Sequence, residues 1–328
     1  MRAPAFWTRP PGLLARALAP LGAGYALATR LRLVRPGLRL PVPVICVGNL
    51  TAGGSGKTPL VIALVERLAA RGVAVHVLSR GHGGRLRGPL RVDPVRHRAA
   101  DVGDEPLLLA AFAPVWVARD RAAGGRAACA AGAQVIVMDD GFQNPALVKD
   151  LSLLVVDAET GFGNGLCIPA GPLREPLSAG LARADLVVAV GADPARLVRR
   201  WPQLAGRPLV GARIVARETG MPWQGQRVVA FAGIGRPKKF FATLRGLGAE
   251  IVAAHPLGDH APLSPRLLAR LVREAEAQDA LLVTTDKDAV RLPRAFRGRA
   301  VPVPVDLRPE AWGPIDAALD SLLAGKMP

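Results

Sequence analysis

The sequence predicts an α/β protein in which a P-loop NTPase-type parallel sheet domain is followed by a second, smaller α/β domain. Three observations carry this expectation. Short apolar runs alternate with helical stretches along all 328 residues, the pattern of parallel α/β folds. An apolar run at 42–48 leads into the glycine-rich GGSGKT and then into a helical pattern. Around 218–226 (ETGMPWQGQ) the chain changes character before a shorter series of strands and helices begins.

Taken in order, 42–48 (VPVICVG) reads as a buried strand and 58–72 (TPLVIALVERLAARG) as a helix closed by Gly72. The next strand is 73–79 (VAVHVLS), followed by a glycine- and arginine-rich loop at 80–88. The segment 104–112 (DEPLLLAAF) starts a helix with acids and Pro106 in its first turn, a favoured start. A strand at 113–118, a helix at 119–132 and a strand at 133–140 (AQVIVMDD) follow, the last ending in two carboxylates. Strands at 151–158 and 184–190 flank the loop GFGNGLCIPAGPLREPL. Beyond 226 come strand RVVAFAGIG, helix PKKFFATLRGLG, strand AEIVAAH, loop PLGDHAPLS, helix PRLLARLVREAEAQ, strand ALLVTTDKDA and a terminal helix from PEAWGPIDAALDSLLAG. The expected division is an N-terminal interfacial region at 1–40, a phosphate-loop domain at 41–219, the smaller domain at 220–308, and a helix at 309–328 packing back on the first domain.

Half of the chain is hydrophobic, which excludes a disordered chain. The net charge of +17 points to an anionic partner, although only six of the 43 basic residues are lysine and heavy arginine usage can reflect coding bias. Aromatic residues make up 4%, so base-stacking platforms for single strands or RNA are scarce. Cys46, Cys129 and Cys167 lie far apart without a CxxC, which fits buried thiols in a reducing compartment rather than a disulfide or zinc framework. No apolar run is long enough to span a bilayer. The first 40 residues mix Phe6, Trp7 and Leu/Ala-rich turns with Arg9, Arg16, Arg30, Arg32, Arg35 and Arg39, and lack a signal-peptide cleavage pattern. Such a helix can lie in a membrane interface or pack on its own domain; the residues alone leave both open.

The central motif is VGNLTAGGSGKTPL. Gly53, Gly54 and Gly56, with Ser55 among them, can turn backbone amides inward at a helix N-terminus and form an anion nest. Lys57 can reach the β- and γ-phosphates, and the Thr58 hydroxyl can hold Mg2+. Thr51 stands where the usual pattern has glycine, and the two later glycines can supply that flexibility. Ala52 lacks the signature lysine of partitioning-type ATPases, and TTDKDA fails as a guanine reader because Ala289 falls where the aspartate belongs.

Asp139 and Asp140 end a buried strand, the place for a Walker-B-type carboxylate on Mg2+; a solvated turn is the plain alternative. In GPLREP, Arg174 could clamp transferring phosphate charge and Glu175 could join the metal shell, though Arg-Glu neighbours are usually surface pairs. In DVGDEP, Asp104 or Glu105 could be a base at a helix start, or an N-cap and a first-turn acid. His260, in GDHAPLS, is by itself more often structural than catalytic.

These pieces, in this order, resemble the tetraacyldisaccharide 4'-kinase family. The resemblance runs from about Trp7 to the terminal helix and rests on VGNLTAGGSGKTP, LSRGHGG, VGDEPLLLA, DDGFQN, GNGLCIPAGPLREPL and GDH. The glycine loop is common; DDGFQ followed by PAGPLREP is far more specific, and threonine at position 51 is itself a trait of the family. The resemblance implies ATP and Mg2+, and transfer of the γ-phosphate to the 4'-hydroxyl of a lipid A disaccharide 1-phosphate precursor, in a cleft between two α/β domains. It further implies peripheral attachment to the cytoplasmic face of a bacterial inner membrane, with an anionic membrane surface as partner; the lack of a recognised DNA- or RNA-binding motif weighs against nucleic acid, and no obligate protein partner is inferred. Carried over, Lys57 and Thr58 hold phosphate and metal, Asp139 and Asp140 belong to the metal site, and Arg174 and Glu175 sit near the transferring phosphate. Asp104 pairs with His260 as the hydroxyl-activating dyad. The chain departs from the family pattern at Asn144, where histidine is usual, at His82, where tyrosine is usual, and at Ala261, where an aromatic or histidine usually follows His260. A membrane-recruited regulatory P-loop ATPase is the alternative from another class, and it predicts slow turnover without an acceptor sugar.

Overall fold

The computed structural model describes residues 4–325. The outermost ends of the expected 1–40 and 309–328 segments, residues 1–3 and 326–328, lie outside the described residues. In chain order the first elements are α1 (Leu13–Leu33), β1 (Val44–Gly48), α2 (Lys57–Ala69), β2 (Val75–Ser79), β3 (Leu90–Arg91), α3 (Ala99–Val102), α4 (Asp104–Leu109) and β4 (Val115–Val117). Next come α5 (Arg121–Ala130), β5 (Val135–Asp139), β6 (Leu151–Asp157), α6 (Leu177–Leu181), β7 (Leu186–Val190), α7 (Pro194–Arg200) and β8 (Leu209–Ala216). The remainder is β9 (Arg227–Ala232), α8 (Pro237–Gly246), β10 (Glu250–Pro256), α9 (Pro265–Ala277), β11 (Leu281–Thr285), α10 (Asp286–Ala289), β12 (Val301–Val303), β13 (Val305–Pro309) and α11 (Gly313–Ala324).

Two sheets organise these elements. The larger has nine strands in the order β13-β8-β7-β6-β1-β5-β2-β4-β3, parallel except for β3 and β13 at its edges. The smaller has four parallel strands in the order β10-β9-β11-β12. Both are covered on two faces, as parallel sheets require. Along β1, Ile45 and Val47 face the cluster formed with α2, while Val44 and Cys46 face the opposite clusters. Along β9, Val228 and Ala230 pack with Phe240, Phe241 and Leu244 of α8, and Val229 and Phe231 pack with Leu268 and Leu271 of α9.

The structure revises three local expectations. The run 280–289 is not one strand: the Thr285 side chain accepts from the Asp288 amide, caps a helical turn and ends β11. The strands β8 and β13 go beyond those expectations, because charged residues that are exposed (Arg213, Arg308) or half-exposed (Asp306) hide the strand pattern. The chain rejoins the large sheet at Val305, ahead of the expected break at 309. From there α11 lies against α2, with Ile315 and Leu319 in the same core as Leu60, Leu64 and Leu68, and with Asp316 paired to Arg67 and Arg71.

The N-terminal helix inverts the usual pattern. Its buried residues are the small Ala15, Gly22 and Thr29, one residue in every seven, whereas Leu13, Leu14, Leu21, Leu27 and Leu31 are exposed. Gly22 is required by close approach, since a Cβ there would meet the Cys167 carbonyl oxygen at 2.8 Å. No described helix is long and apolar enough to cross a membrane.

Burial rather than surface pairing carries this architecture. Leu64→Ala, at a fully buried position, is expected to lower the unfolding free energy by about 2–5 kcal/mol, read from the shift of the denaturant midpoint at constant slope.

Candidate active site

The strand β1 lies between β5 and β6, where the strand order reverses, so the crevice beyond its carboxyl end is the expected ligand position of an open α/β sheet. The glycine loop leaves β1 there. Gly56 caps α2 at φ 92°, a left-handed conformation that favours glycine. Lys57 and Thr58 form the first turn of α2. A Cβ at Gly53 or Gly54 would meet nothing within 4 Å, so the loop presents open backbone to its concave side. Thr51 forms an isolated antiparallel bridge with Leu173, an extended pairing that needs no glycine. The Ala52 amide donates to Pro172 O at 2.8 Å and the Arg174 amide donates to Leu50 O at 2.7 Å. The PAGPLREP segment thus braces the glycine loop, a tie between two motifs that lie far apart in sequence.

Asp139 sits at the end of β5, in register with Val47 of β1. Its Oδ2 accepts from Ser79 Oγ at 3.4 Å. Burial, reinforced by the charges of Glu105 and Asp140, pushes its carboxyl up to about 7. Asp140 responds in the opposite direction: burial would raise it, but Lys57 (Nζ at 3.6 Å) and Arg174 (Nη1 at 3.1 Å from both oxygens) hold it below the usual carboxylate range. The expected cluster of Lys57, Asp139, Asp140 and Arg174 is therefore assembled. Glu175 departs from its expected place. It is buried, and its carboxylate accepts from Arg183 at 2.7 Å and from Gln143 Nε2 at 2.9 Å, facing the groove under α1 rather than Asp139. Arg183 neutralises its charge in this arrangement.

Asp104 and His260 meet. His260 Nδ1 lies 2.9 Å from Asp104 Oδ2, joining the loop after β10 to the start of α4. The Asp104 bond raises the His260 pKa above its ordinary value, against burial and the charge of Lys287. Burial would raise Asp104, but the bond to His260 and the charges of Lys287, His260 and Arg291 outweigh it and hold the carboxyl down. The His82 ring stands edge-on to His260, 6.4 Å between centroids. Asn144 turns back on its own loop, its Oδ1 accepting from the Ala146 amide at 2.9 Å.

Sequence reasoning missed two cations. Arg121 is buried beside Asp139 and Asp140, donates to Ala118 O at 2.7 Å, and is pushed down to about 10 by burial. Lys287 reaches Glu105 at 3.0 Å from the small-sheet side. Arg121 carries no motif; Lys287 lies in TTDKDA, which fails only as a guanine reader.

The residues present fit a nucleotide and a divalent cation. Buried polar groups normally find partners, yet Asn49 Oδ1, Ser55 Oγ and Asp139 Oδ1, all at this crevice, have none among the described residues. No group of three or more His, Cys, Asp or Glu among the described residues could hold a metal alone.

A model of the tetraacyldisaccharide-1-P 4'-kinase family matches residues 14–324. The chain is 60% identical to a tetraacyldisaccharide 4'-kinase of Dinoroseobacter shibae, covering 98% of both chains. It is 53% identical to one of Rhodospirillum rubrum, covering 100% of both. It resembles the crystal structure of LpxK from Aquifex aeolicus in complex with ATP, with TM-score 0.76 and 25% identity, covering 94% of this chain and 99% of that one.

The His260–Asp104 bond predicts a pH window for stability. His260 is raised, so its contribution is complete below its ordinary value of 6.5 and is lost as pH rises through its folded value. Asp104 is lowered, so its contribution is complete above 3.8 and is lost as pH falls through its folded value. The stability difference between the parent and His260→Ala should therefore peak between these values and shrink at alkaline pH. It should stay below about 1 kcal/mol because the ring is 43% exposed. Unfolding curves measured across pH would check this.

Proposed function

The chain belongs to the tetraacyldisaccharide-1-P 4'-kinase family and is a kinase; from that premise we propose that it transfers the γ-phosphate of ATP to the 4'-hydroxyl of a tetraacyldisaccharide 1-phosphate in lipid A biosynthesis. The observation that carries this reading is the Asp104–His260 bond, formed next to Glu105, whose charge reaches Asp139 below the glycine loop. In this reading the loop amides from Gly53 to Gly56 cradle the phosphates, and Lys57 neutralises charge that builds up as the terminal bond loosens. Arg174 turns from Asp140 toward the transferring group. Thr58, Asp139 and Asp140 would hold Mg2+, which would supply neutralisation of phosphate charge. The acceptor oxygen bonds to the γ-phosphorus, the bond from that phosphorus to the β-bridging oxygen breaks, and ADP leaves. The hydroxyl proton passes to the Asp104 carboxylate, which His260 orients.

The acceptor carries acyl chains, and two features support its delivery from a membrane surface. Exposed leucines of α1 stand beside exposed Arg16, Arg30 and Arg32, the composition of an interfacial helix. A groove of about 700 Å3, lined mainly by apolar atoms, runs between α1 and the 165–183 segment. We assign the chain to the cytoplasmic face of the inner membrane, held peripherally by α1.

Labelled γ-phosphate from ATP should appear in a detergent-solubilised tetraacyldisaccharide 1-phosphate in the presence of Mg2+. Asp104→Ala should lower that transfer by about 10²–10⁴-fold while ATP binding persists. Surviving transfer would move the base elsewhere, and unlabelled lipid with a folded, ATP-binding parent would sink the substrate assignment. Leu21→Ser combined with Leu31→Ser should weaken co-sedimentation with anionic vesicles by about tenfold or more, and undiminished binding would remove α1 from the membrane contact.

A further inference from the structure

The segment TTDKDAVR, 284–291, has no part in the reaction as described, yet three of its side chains converge on the Asp104–His260 pair. Asp288 is fully buried and accepts from the Gly233 amide at 2.8 Å. Gly233 O in turn accepts from the His260 amide at 3.0 Å. Arg291 pairs with Asp288 at 2.8 Å and donates to Gly233 O and to Ala261 O. These bonds clamp the loop on both sides of His260, which is held at φ 55°, a left-handed conformation few non-glycine residues adopt. The third side chain, Lys287, leaves this scaffold. It crosses from α10 to α4 and donates to Glu105 Oε1 at 3.0 Å, one residue from Asp104.

We propose that Lys287 is a positioning residue of the phosphoryl transfer: its ammonium, anchored on Glu105, sets the register in which the small-sheet His260 meets the large-sheet Asp104. The proposal rests on the kinase reading above. Two contacts with different chemistry join the same pair of segments, Lys287–Glu105 and His260–Asp104, and α10 packs directly on α4. A single histidine–carboxylate bond leaves rotation about itself free; a second bond one residue away removes that freedom. The ammonium also acts electrostatically. It is half-buried, and desolvation would lower its pKa, but Glu105, Asp104 and Asp259 raise it above the ordinary lysine value. The groups facing the pair are Asp104 and Glu105 from α4, Asp259 from the loop of His260 itself (3.7 Å from its Nε2), His82 from the loop after β2, and Lys287 and Arg291 from the TTDKDAVR segment. Among them Lys287 lowers both Asp104 and His260.

Lys287→Met keeps most of the stem and removes the charge. Loss of register should lower kcat by about 10²-fold with the KM for ATP nearly unchanged. The acid limb of the kcat/KM profile should move to higher pH, because Asp104 loses a stabilising cation. The His260 ring, followed by NMR in nucleotide-free protein, should titrate at higher pH as well. Lys287→Arg should restore most of the rate and both titrations, and Lys238→Met, at an exposed lysine, should change none of them. A folded Lys287→Met with an unmoved His260 titration would overturn the proposal, and so would a rate loss with an unmoved acid limb and no rescue by arginine. Should Lys287→Met not fold, Glu105→Ala removes the acceptor of the same tie from the other side, and an unchanged kcat there would overturn it equally. A parent that leaves the lipid unlabelled rejects the substrate assignment instead, and the His260 titration still decides whether Lys287 acts on the pair.

Discussion

Burying carboxylates at the carboxyl end of a parallel sheet is costly unless cations surround them, and much of this molecule answers that constraint. Asp139 and Asp140 lie where β5 runs beside β1, so the glycine loop must deliver Lys57 to the same place. Arg174 arrives from a segment that braces the loop, and Arg121 from the start of α5. The two acids then divide their roles. Asp140 is held ionised by direct partners, whereas Asp139 keeps one oxygen without any and is pushed toward the neutral form. A divalent cation would reverse that push, so the same burial that penalises Asp139 makes it receptive.

Much of this was legible in the sequence, for physical reasons. The strands β1, β5, β6 and β7 are buried on both faces, so they appear as unbroken apolar runs. The glycine loop is legible because phosphate cradles need residues without a Cβ. What was not legible depends on partners distant in sequence. Nothing in the sequence near Glu175 announces its pairing with Arg183. Lys287 looks like part of a failed nucleotide motif until α10 is placed against α4. The strands β8 and β13 pair with each other at an edge, where one side meets solvent and charged residues interrupt the apolar pattern.

The N-terminal helix shows what happens when small residues, not large ones, face the protein. Its stripe of Ala15, Gly22 and Thr29 allows a close approach to the 167–170 segment, and Trp7 Nε1 donates to Pro169 O at 3.0 Å just before the helix. The leucines are left outside. This exposed apolar surface adjoins the PAGPLREP segment that braces the glycine loop. The helix α1 is thereby mechanically close to the glycine loop.

The small sheet is an insertion. The chain leaves the large sheet after β8 and re-enters it with β13, and the two crossing strands are pinned where the Arg217 amide donates to Pro304 O at 2.9 Å. Arg217 extends the pin through its side chain to Asp306 and Glu66. During synthesis, therefore, β8 remains an unpaired edge until the entire insertion has emerged, and α11 cannot cover α2 before then. A newly made chain would carry exposed strand edge and bare apolar helix surface for that interval. Assembly of the last layer of the large sheet is thus timed by completion of the small one, so a misfolding insertion would leave the nucleotide-binding half open along one side.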